Sequence, residues 1–309
     1  MKIRDALLSE LIDYAGLFPP AGEDMKTAVQ NYAEYSRGPD RAALGKFIVP
    51  FARLEELEDA AADLFPRTRS SQPWPISVLV ADDVRHAADS IAKFNARHSA
   101  QARRGLATIE VVELKASTIE EIANQQQDLP RTFTSYFEIP LTGDMPALVR
   151  AIREVSSRAK IRTGGITAEA FPSPQSIIDF LVACRAESVA FKATAGLHHP
   201  VSGEYRLTYE EGSANGMMYG FLNVFLAAAL LAAGESEDVA LAALQETNRA
   251  AFEFAEDHLQ WRDKRISATQ LVDVRRNNAI SFGSCSFREP IDELAPFFHR
   301  TQTAQPART

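Results

Sequence analysis

Ala159-Lys160-Ile161-Arg162-Thr163-Gly164-Gly165 and Ala190-Phe191-Lys192-Ala193-Thr194-Ala195-Gly196 flank a helical pattern at residues 174–185. Each flank is a short apolar run that closes on a glycine-bearing turn, so the segment reads as strand, helix, strand, one unit of parallel α/β structure. Each run also carries a lysine at the matching place. A lysine in a buried strand is costly unless its charge is paired or its pKa falls. Two matched lysines point to a site with amine chemistry rather than to a solvated surface.

The same alternation extends in both directions. Upstream, an N-terminal helix leads to a first strand at 11–17, ending at Pro19-Pro20, then a helix at 25–36. Strands follow at 46–50, 75–81, 107–114 and 132–141, each with its helix. Asp82-Asp83 caps the third of these helices, and Ser117-Thr118-Ile119-Glu120 is a capping-box pattern before the next. Downstream, 279–285 forms the last strand and 289–298 its helix. Eight such pairs predict an α/β protein, a (β/α)8 TIM barrel with an N-terminal helix. The alternative is an open doubly wound sheet, but no Gly-rich dinucleotide fingerprint follows the first strand.

One connection is too long for a barrel. Residues 197–278 separate the seventh and eighth strands, where a loop, a helix and a loop would suffice. The polar stretch 202–216 reads as an active-site loop, and the remainder as a long helical insertion covering the barrel or mediating subunit contacts. The expected organisation is a single barrel domain over 1–300, with 301–309 as a disordered polar tail.

Composition narrows the function classes. A formal charge of -8 argues against nucleic acid as a partner. Cys184 and Cys285 are too few for a disulfide framework, which fits a reducing cytoplasm. Met1-Lys2-Ile3-Arg4-Asp5 opens an amphipathic segment rather than the apolar core of a signal peptide. The most hydrophobic run, 217–233, is short for a membrane span and contains Gly220 and Asn223, so it is expected to be a buried or subunit-contact helix. The expected partners are a small anionic substrate and further copies of the chain, with no membrane and no cofactor or metal.

Strand alternation sorts the charged residues by face. Ile161 on the sixth strand and Val189, Phe191 and Ala193 on the seventh take the helix-facing side. Lys160, Arg162, Lys192 and Thr194 then point into the barrel. By the same count Glu138 and Glu110 point inward from the fifth and fourth strands, while Glu113 falls on the opposite face or at the strand end. Asp13 ends the first strand, and His198-His199 begin the loop beside the same mouth. Each has a plainer reading: structural ion pairs for the lysines, Arg162 and the glutamates, a cap for Asp13, a polar loop for the histidines, and a small buried residue for Cys285.

A lysine attacks a carbonyl only as the neutral amine, and a neighbouring cation lowers its pKa. A second lysine on the adjacent strand, with Arg162 beside it, would supply that cation. A nearby carboxylate could then move protons through the carbinolamine and enamine steps.

These residues resemble motifs of the class I deoxyribose-phosphate aldolases. Lys160-Ile161-Arg162-Thr163-Gly164 is similar to the family's sixth-strand Lys-Thr-Ser-Thr-Gly. Phe191-Lys192-Ala193-Thr194-Ala195-Gly196 resembles the seventh-strand Phe-Lys-Pro-Ala-Gly-Gly, and Phe282-Gly283-Ser284-Cys285-Ser286 the eighth-strand Phe-Gly-Ala-Ser-Ser. Leu11-Ile12-Asp13 resembles the first-strand Leu-Met-Asp, and Glu110 falls near the fourth-strand catalytic aspartate. The resemblance implies Lys160 as the Schiff-base lysine, Lys192 as its tuner, and phosphate held by backbone amides at Gly283-Ser284. The chain departs from the pattern at Ile161, Arg162 and Ala195, and in the length of 197–278.

The resulting expectation is a Schiff-base aldolase or lyase acting on a small phosphorylated or carboxylated oxo compound. Catalysis would fall to Lys160, Lys192, Glu138, Glu110 and Asp13, and substrate binding to Arg162, Thr194, Gly196, His198, Gly283 and Ser284. Two other classes fit parts of the pattern. One is a metal-dependent isomerase or hydrolase using Glu110, Glu138 and His198 or His199. The other is a non-catalytic barrel kept as a binding scaffold.

Overall fold

The strands that read as continuous apolar runs are buried along nearly their whole length, as strands covered on both faces must be. The computed structural model describes residues 1–68, 70–99 and 104–299. In chain order the first half comprises α1 (Ile3–Leu8), β1 (Ile12–Tyr14), α2 (Met25–Tyr35), β2 (Leu44–Pro50), α3 (Leu54–Ala60), β3 (Trp74–Leu79), α4 (Val84–Arg97), β4 (Ala107–Lys115), α5 (Ile119–Gln127), β5 (Thr134–Glu138) and α6 (Met145–Glu154). It continues through β6 (Arg158–Arg162), α7 (Pro174–Ala186), β7 (Phe191–Thr194), β8 (Gly203–Arg206), β9 (Asn215–Met218), α8 (Phe221–Ala232) and α9 (Glu237–Leu244). The last elements are β10 (Phe252–Phe254), β11 (His258–Trp261), β12 (Lys264–Ser267), α10 (Ala268–Asn277), β13 (Ala279–Ser284) and α11 (Arg288–His299).

Eight strands close into an all-parallel barrel in the order β1-β13-β7-β6-β5-β4-β3-β2. Helix starts are set locally. Asp24, Asp83, Asp144, Ser173 and Ser236 each accept a backbone N–H of the first turn. The capping box before α5 uses Thr118 and Glu121, one residue later than the pattern at 117–120 suggested.

The segment between β7 and β13 is more than loop and helix. Residues 202–216, expected as a loop, hold β8 and the start of β9, which form an antiparallel pair. Strands β10, β11 and β12 form a separate three-stranded antiparallel sheet. Helix α8 is buried on almost every side and packs against α7, α9, α10 and β13, with the Phe221 ring stacked 4.9 Å from that of Phe282. It therefore fills the helix layer between α7 and α10, against β13. Asn223, the polar residue in this apolar helix, accepts from the Ser202 N–H at 2.8 Å and donates to the carbonyls of Ala243 at 2.7 Å and Glu246 at 2.8 Å. These bonds offset the cost of burying its amide. Arg275 on α10 donates to the carbonyls of Leu7, Ser9 and Ile280, which ties α1 to the barrel. Among the described residues no helix is long and apolar enough to cross a membrane. The tail at 301–309 lies outside the described residues.

Candidate active site

Register places the charged residues in rows. Glu138 on β5 pairs with Lys160 on β6, and Lys160 pairs with Lys192 on β7. Partners on neighbouring strands share a face, so all three point into the barrel. In the next row Arg162 pairs with Thr194, Thr194 with Gly283, and Gly283 with Asp13.

The fourth strand breaks the expected count. Ile76 pairs with Ile109, but Ser77 pairs with Val111, so Glu110 is the extra residue of a β-bulge. Beyond the bulge every side chain changes face. Glu110 is exposed and does not reach the mouth, whereas Glu113 is buried inside the barrel. The assignment of Glu110 to the site is corrected accordingly, and Glu113 takes the position.

Glu113 joins the two lysines. Its Oε2 lies 2.9 Å from Lys160 Nζ and its Oε1 2.7 Å from Lys192 Nζ, with the Ser77 hydroxyl donating at 2.7 Å. Lys160 also pairs with Glu138 at 2.9 Å. Lys192 donates to Asp13 at 2.6 Å and lies 5.5 Å from the centre of the Tyr136 ring. Asp13 accepts further bonds from Ser281 Oγ at 2.9 Å and the Lys46 N–H at 2.8 Å. Arg162 and Lys115 approach the far oxygen of Glu138 at 3.6 and 3.8 Å. The result is one continuous chain of alternating charges across the barrel.

Burial alone would drive these groups toward neutrality, but the partners prevail. Burial raises the carboxyls of Asp13, Glu113 and Glu138, yet the adjacent ammonium groups hold all three below the ordinary carboxylate range. Burial likewise opposes the charge on Lys192, and Asp13 and Glu113 hold its ammonium above the usual lysine value. The simple expectation of two cations facing each other is therefore corrected: a carboxylate bridges them.

A cavity of about 370 Å³ opens above this chain. Glu113, Glu138, Lys160, Lys192, Arg162 and Lys115 line its polar side, joined by Thr194, Gly196, His198, Gly283 and Cys285. Phe18, Pro19, Pro20, Ile48, Leu79 and Ile166 give it an apolar wall. Asp13 sits behind Lys192 and does not line the cavity. Neither does Ser284, whose carbonyl accepts the Ala15 N–H at 2.7 Å. Gly196, at φ +76°, has a packing role as well. A methyl group there would come within 2.8 Å of the Phe171 ring, and one on Gly164 within 2.4 Å. Phe171 thus covers both glycine turns. A larger cavity, about 820 Å³, lies around α1 near Arg4, Lys46 and Arg276, away from the C-terminal strand ends where barrel chemistry gathers.

The histidines stand beside the mouth. His198 Nδ1 is 3.4 Å from Glu289 and 3.9 Å from Cys285 Sγ. Burial disfavours its charge, but bonding to Cys285 and Glu289 pushes its pKa up to about 9. His199, Glu289 and Glu293 bring potential metal-ligand atoms within 4.8 Å of one another. The ligand set expected from Glu110, Glu138 and a histidine is not assembled, because Glu110 is outside and Glu138 is held by Lys160.

Sequence reasoning missed Glu113, Ser77, Ser281, Tyr136 and Lys115. The one available signal was the three-residue spacing of Glu110 and Glu113, which no regular strand can place on a single face. Comparison with family models and with curated proteins finds no match for this chain.

Proposed function

We propose that this barrel is a Schiff-base, class I type carbon–carbon lyase acting on a small anionic oxo compound, with Lys160 as the nucleophile. The observation that carries the reading is the pair of neighbouring lysines bridged by Glu113 at the base of a cavity edged by Arg162. The roles follow from the surroundings. Lys192 is clamped between Asp13 and Glu113 and remains an ammonium, so it acts as a fixed positive charge. Lys160 shares its carboxylates with other cations and can be neutralised by passing a proton to Glu138.

The free Lys160 amine attacks the substrate carbonyl carbon, and the carbonyl oxygen takes up the proton to give a carbinolamine. Loss of water, with the oxygen protonated by Glu138, gives the iminium. The iminium accepts the electron pair released when the adjacent carbon–carbon bond breaks, and a carboxylate takes the hydroxyl proton of the departing carbonyl product. Arg162 offers a fork suited to the substrate's carboxylate or phosphate. The layout of Lys160, Lys192 and Asp13 supports the resemblance to class I deoxyribose-phosphate aldolases; at the fourth strand Glu113 would take the acidic role.

The test is borohydride reduction in the presence of pyruvate or acetaldehyde, followed by peptide mass mapping. A reduced adduct on Lys160, lost in Lys160→Ala, is the expected result. An adduct on another residue, or one that survives the substitution, refutes the assignment.

A further inference from the structure

Two clusters of acidic residues near the barrel mouth differ in structure. Inside the barrel, Asp13, Glu113 and Glu138 surround two ammonium groups, which already occupy the position a cation would take. On the rim, Glu289 and Glu293 stand one turn apart on α11 and face His199 from the loop after β7. No lysine or arginine among the described residues lies within ion-pair distance of either rim carboxylate; their partners there are His198 and His199. Like charges four residues apart on a helix repel. This pair is half-buried; His198 stands beside Glu289, and Glu293 has the His199 imidazole as its partner among the described residues.

We propose that His199, Glu289 and Glu293 bind a divalent first-row transition-metal ion, such as Zn²⁺ or Mn²⁺, beside the barrel mouth. The donor atoms lie within 4.8 Å of one another. Ligands at about 2.1 Å from a shared tetrahedral ion stand about 3.4 Å apart, so closing the site requires side-chain shifts of about an ångström, within reach of two glutamates on a partly exposed helix face.

The ligands are already oriented. The His199 ring stacks on Tyr205 with centroids 3.6 Å apart, and its Nδ1 lies 2.8 Å from Glu293 Oε1. Tyr209 donates to Glu289 Oε2 at 2.9 Å, and His198 approaches the same oxygen. Among the described residues the hydrogen bonds to these carboxylates engage one oxygen of each, Oε2 of Glu289 and Oε1 of Glu293. One imidazole and two carboxylates suit a transition ion better than Ca²⁺ or Mg²⁺, which favour oxygen alone. A bound ion would pin the 198–199 loop to α11. Because His198 lines the cavity, it would also steady one cavity wall. This site does not depend on the lysine chemistry.

The experiment uses the full chain, dialysed against a chelator and titrated calorimetrically with Zn²⁺, Mn²⁺ and Ca²⁺. One Zn²⁺ or Mn²⁺ per chain is expected, with Ca²⁺ bound far more weakly. Glu289→Gln and Glu293→Gln, made separately, should each weaken binding by roughly tenfold or more, since even groups outside a ligand set contribute that much. His258→Gln, beside Asp257, and Cys285→Ser should bind as the unaltered protein does. A Co²⁺ spectrum of the unaltered protein gives a readout independent of variant folding: ligand-field bands without thiolate charge transfer. Absence of saturable binding, retention of binding in both glutamate variants, or a thiolate band lost in Cys285→Ser would each overturn the proposal.

Discussion

Replacing Glu113 by glutamine tests the charge chain at its centre. The side chain keeps its shape, and its amide oxygen can still accept the Ser77 hydroxyl, but the bridge between Lys160 and Lys192 loses its charge. At an effective dielectric of about 20, unit charges some 2.8 Å apart attract by roughly 6 kcal/mol, so the two contacts amount to roughly 12 kcal/mol gross. Several kcal/mol of that offset the dehydration of the carboxylate itself. Asp13 and Glu138 still serve the two lysines. The expected net loss is therefore about 3–5 kcal/mol, the range for breaking a buried pair from one side. In a chain of this size it corresponds to a fall in Tm of roughly 5–8 °C.

The pH dependence gives the sharper check. Glu113 has its folded pKa depressed, so its contribution is complete above about pH 4.3 and is lost as pH falls toward the folded value. Lys192 has its folded pKa raised, so its contribution is complete below about pH 10.4 and is lost as pH rises through the folded value. In the variant an under-compensated ammonium sheds its proton more readily, which relieves the variant as pH approaches about 10. The gap between the two proteins should be widest near neutrality and narrow at both ends. Urea unfolding at several pH values, at unchanged m, measures it. A gap under about 1 kcal/mol at pH 7, or one constant from acid to alkaline pH, refutes the reasoning.

Two further predictions concern parts of the fold that position the site. Glu110→Ala should leave stability within about 0.5 kcal/mol of the unaltered protein in the same urea assay, because the bulge places that side chain in solvent; a loss of several times that would mean β4 runs without the bulge. Gly164→Ala should destabilise by about 1–3 kcal/mol, since the new methyl meets the Phe171 ring at 2.4 Å. Phe171→Leu should recover part of that loss in the double variant, and strictly additive effects would show that the ring is not what the methyl strikes.

The barrel was legible because short apolar runs alternated with capped helical patterns, and closure followed from counting the pairs. The lysines were legible for a narrower reason: β6 and β7 pair without interruption, so face alternation transfers directly to position. The fourth strand was not, because a single extra residue inverts the face of everything after it and no residue at 109–111 marks the bulge. Ser77 and Ser281 could not be found from sequence, since their hydroxyls reach carboxylates 36 and 268 positions away only once the barrel closes. The buried helix within 217–233 was read correctly from its composition, and α8 occupies most of that stretch. The sheet of β10, β11 and β12 was overlooked although Phe252-Glu253-Phe254 and Leu259-Gln260-Trp261 alternate visibly; short strands inside a segment taken as helical had no neighbours in sequence to argue for them.

In strand alternation alone Lys160 and Lys192 are equivalent, and barrel closure makes them different. Through β13, closure brings β1 to the flank of β7, so Asp13 stands behind Lys192. No other lysine or arginine side chain among the described residues lies within ion-pair distance of Asp13. Deprotonating Lys192 would thus strand a buried carboxylate, which costs several kcal/mol. On the other flank β5 sets Glu138 beside Lys160, where Arg162 and Lys115 share the same carboxylate and Lys192 shares Glu113. Removing the Lys160 proton leaves each of its carboxylates with a remaining cation. The lysine whose carboxylates are shared with other cations on both sides is Lys160, and Arg162 stands beside it at the cavity edge. That asymmetry supports assigning attack to Lys160 and a standing positive charge to Lys192, and it depends on where the neighbouring strands place their carboxylates rather than on either lysine's own segment.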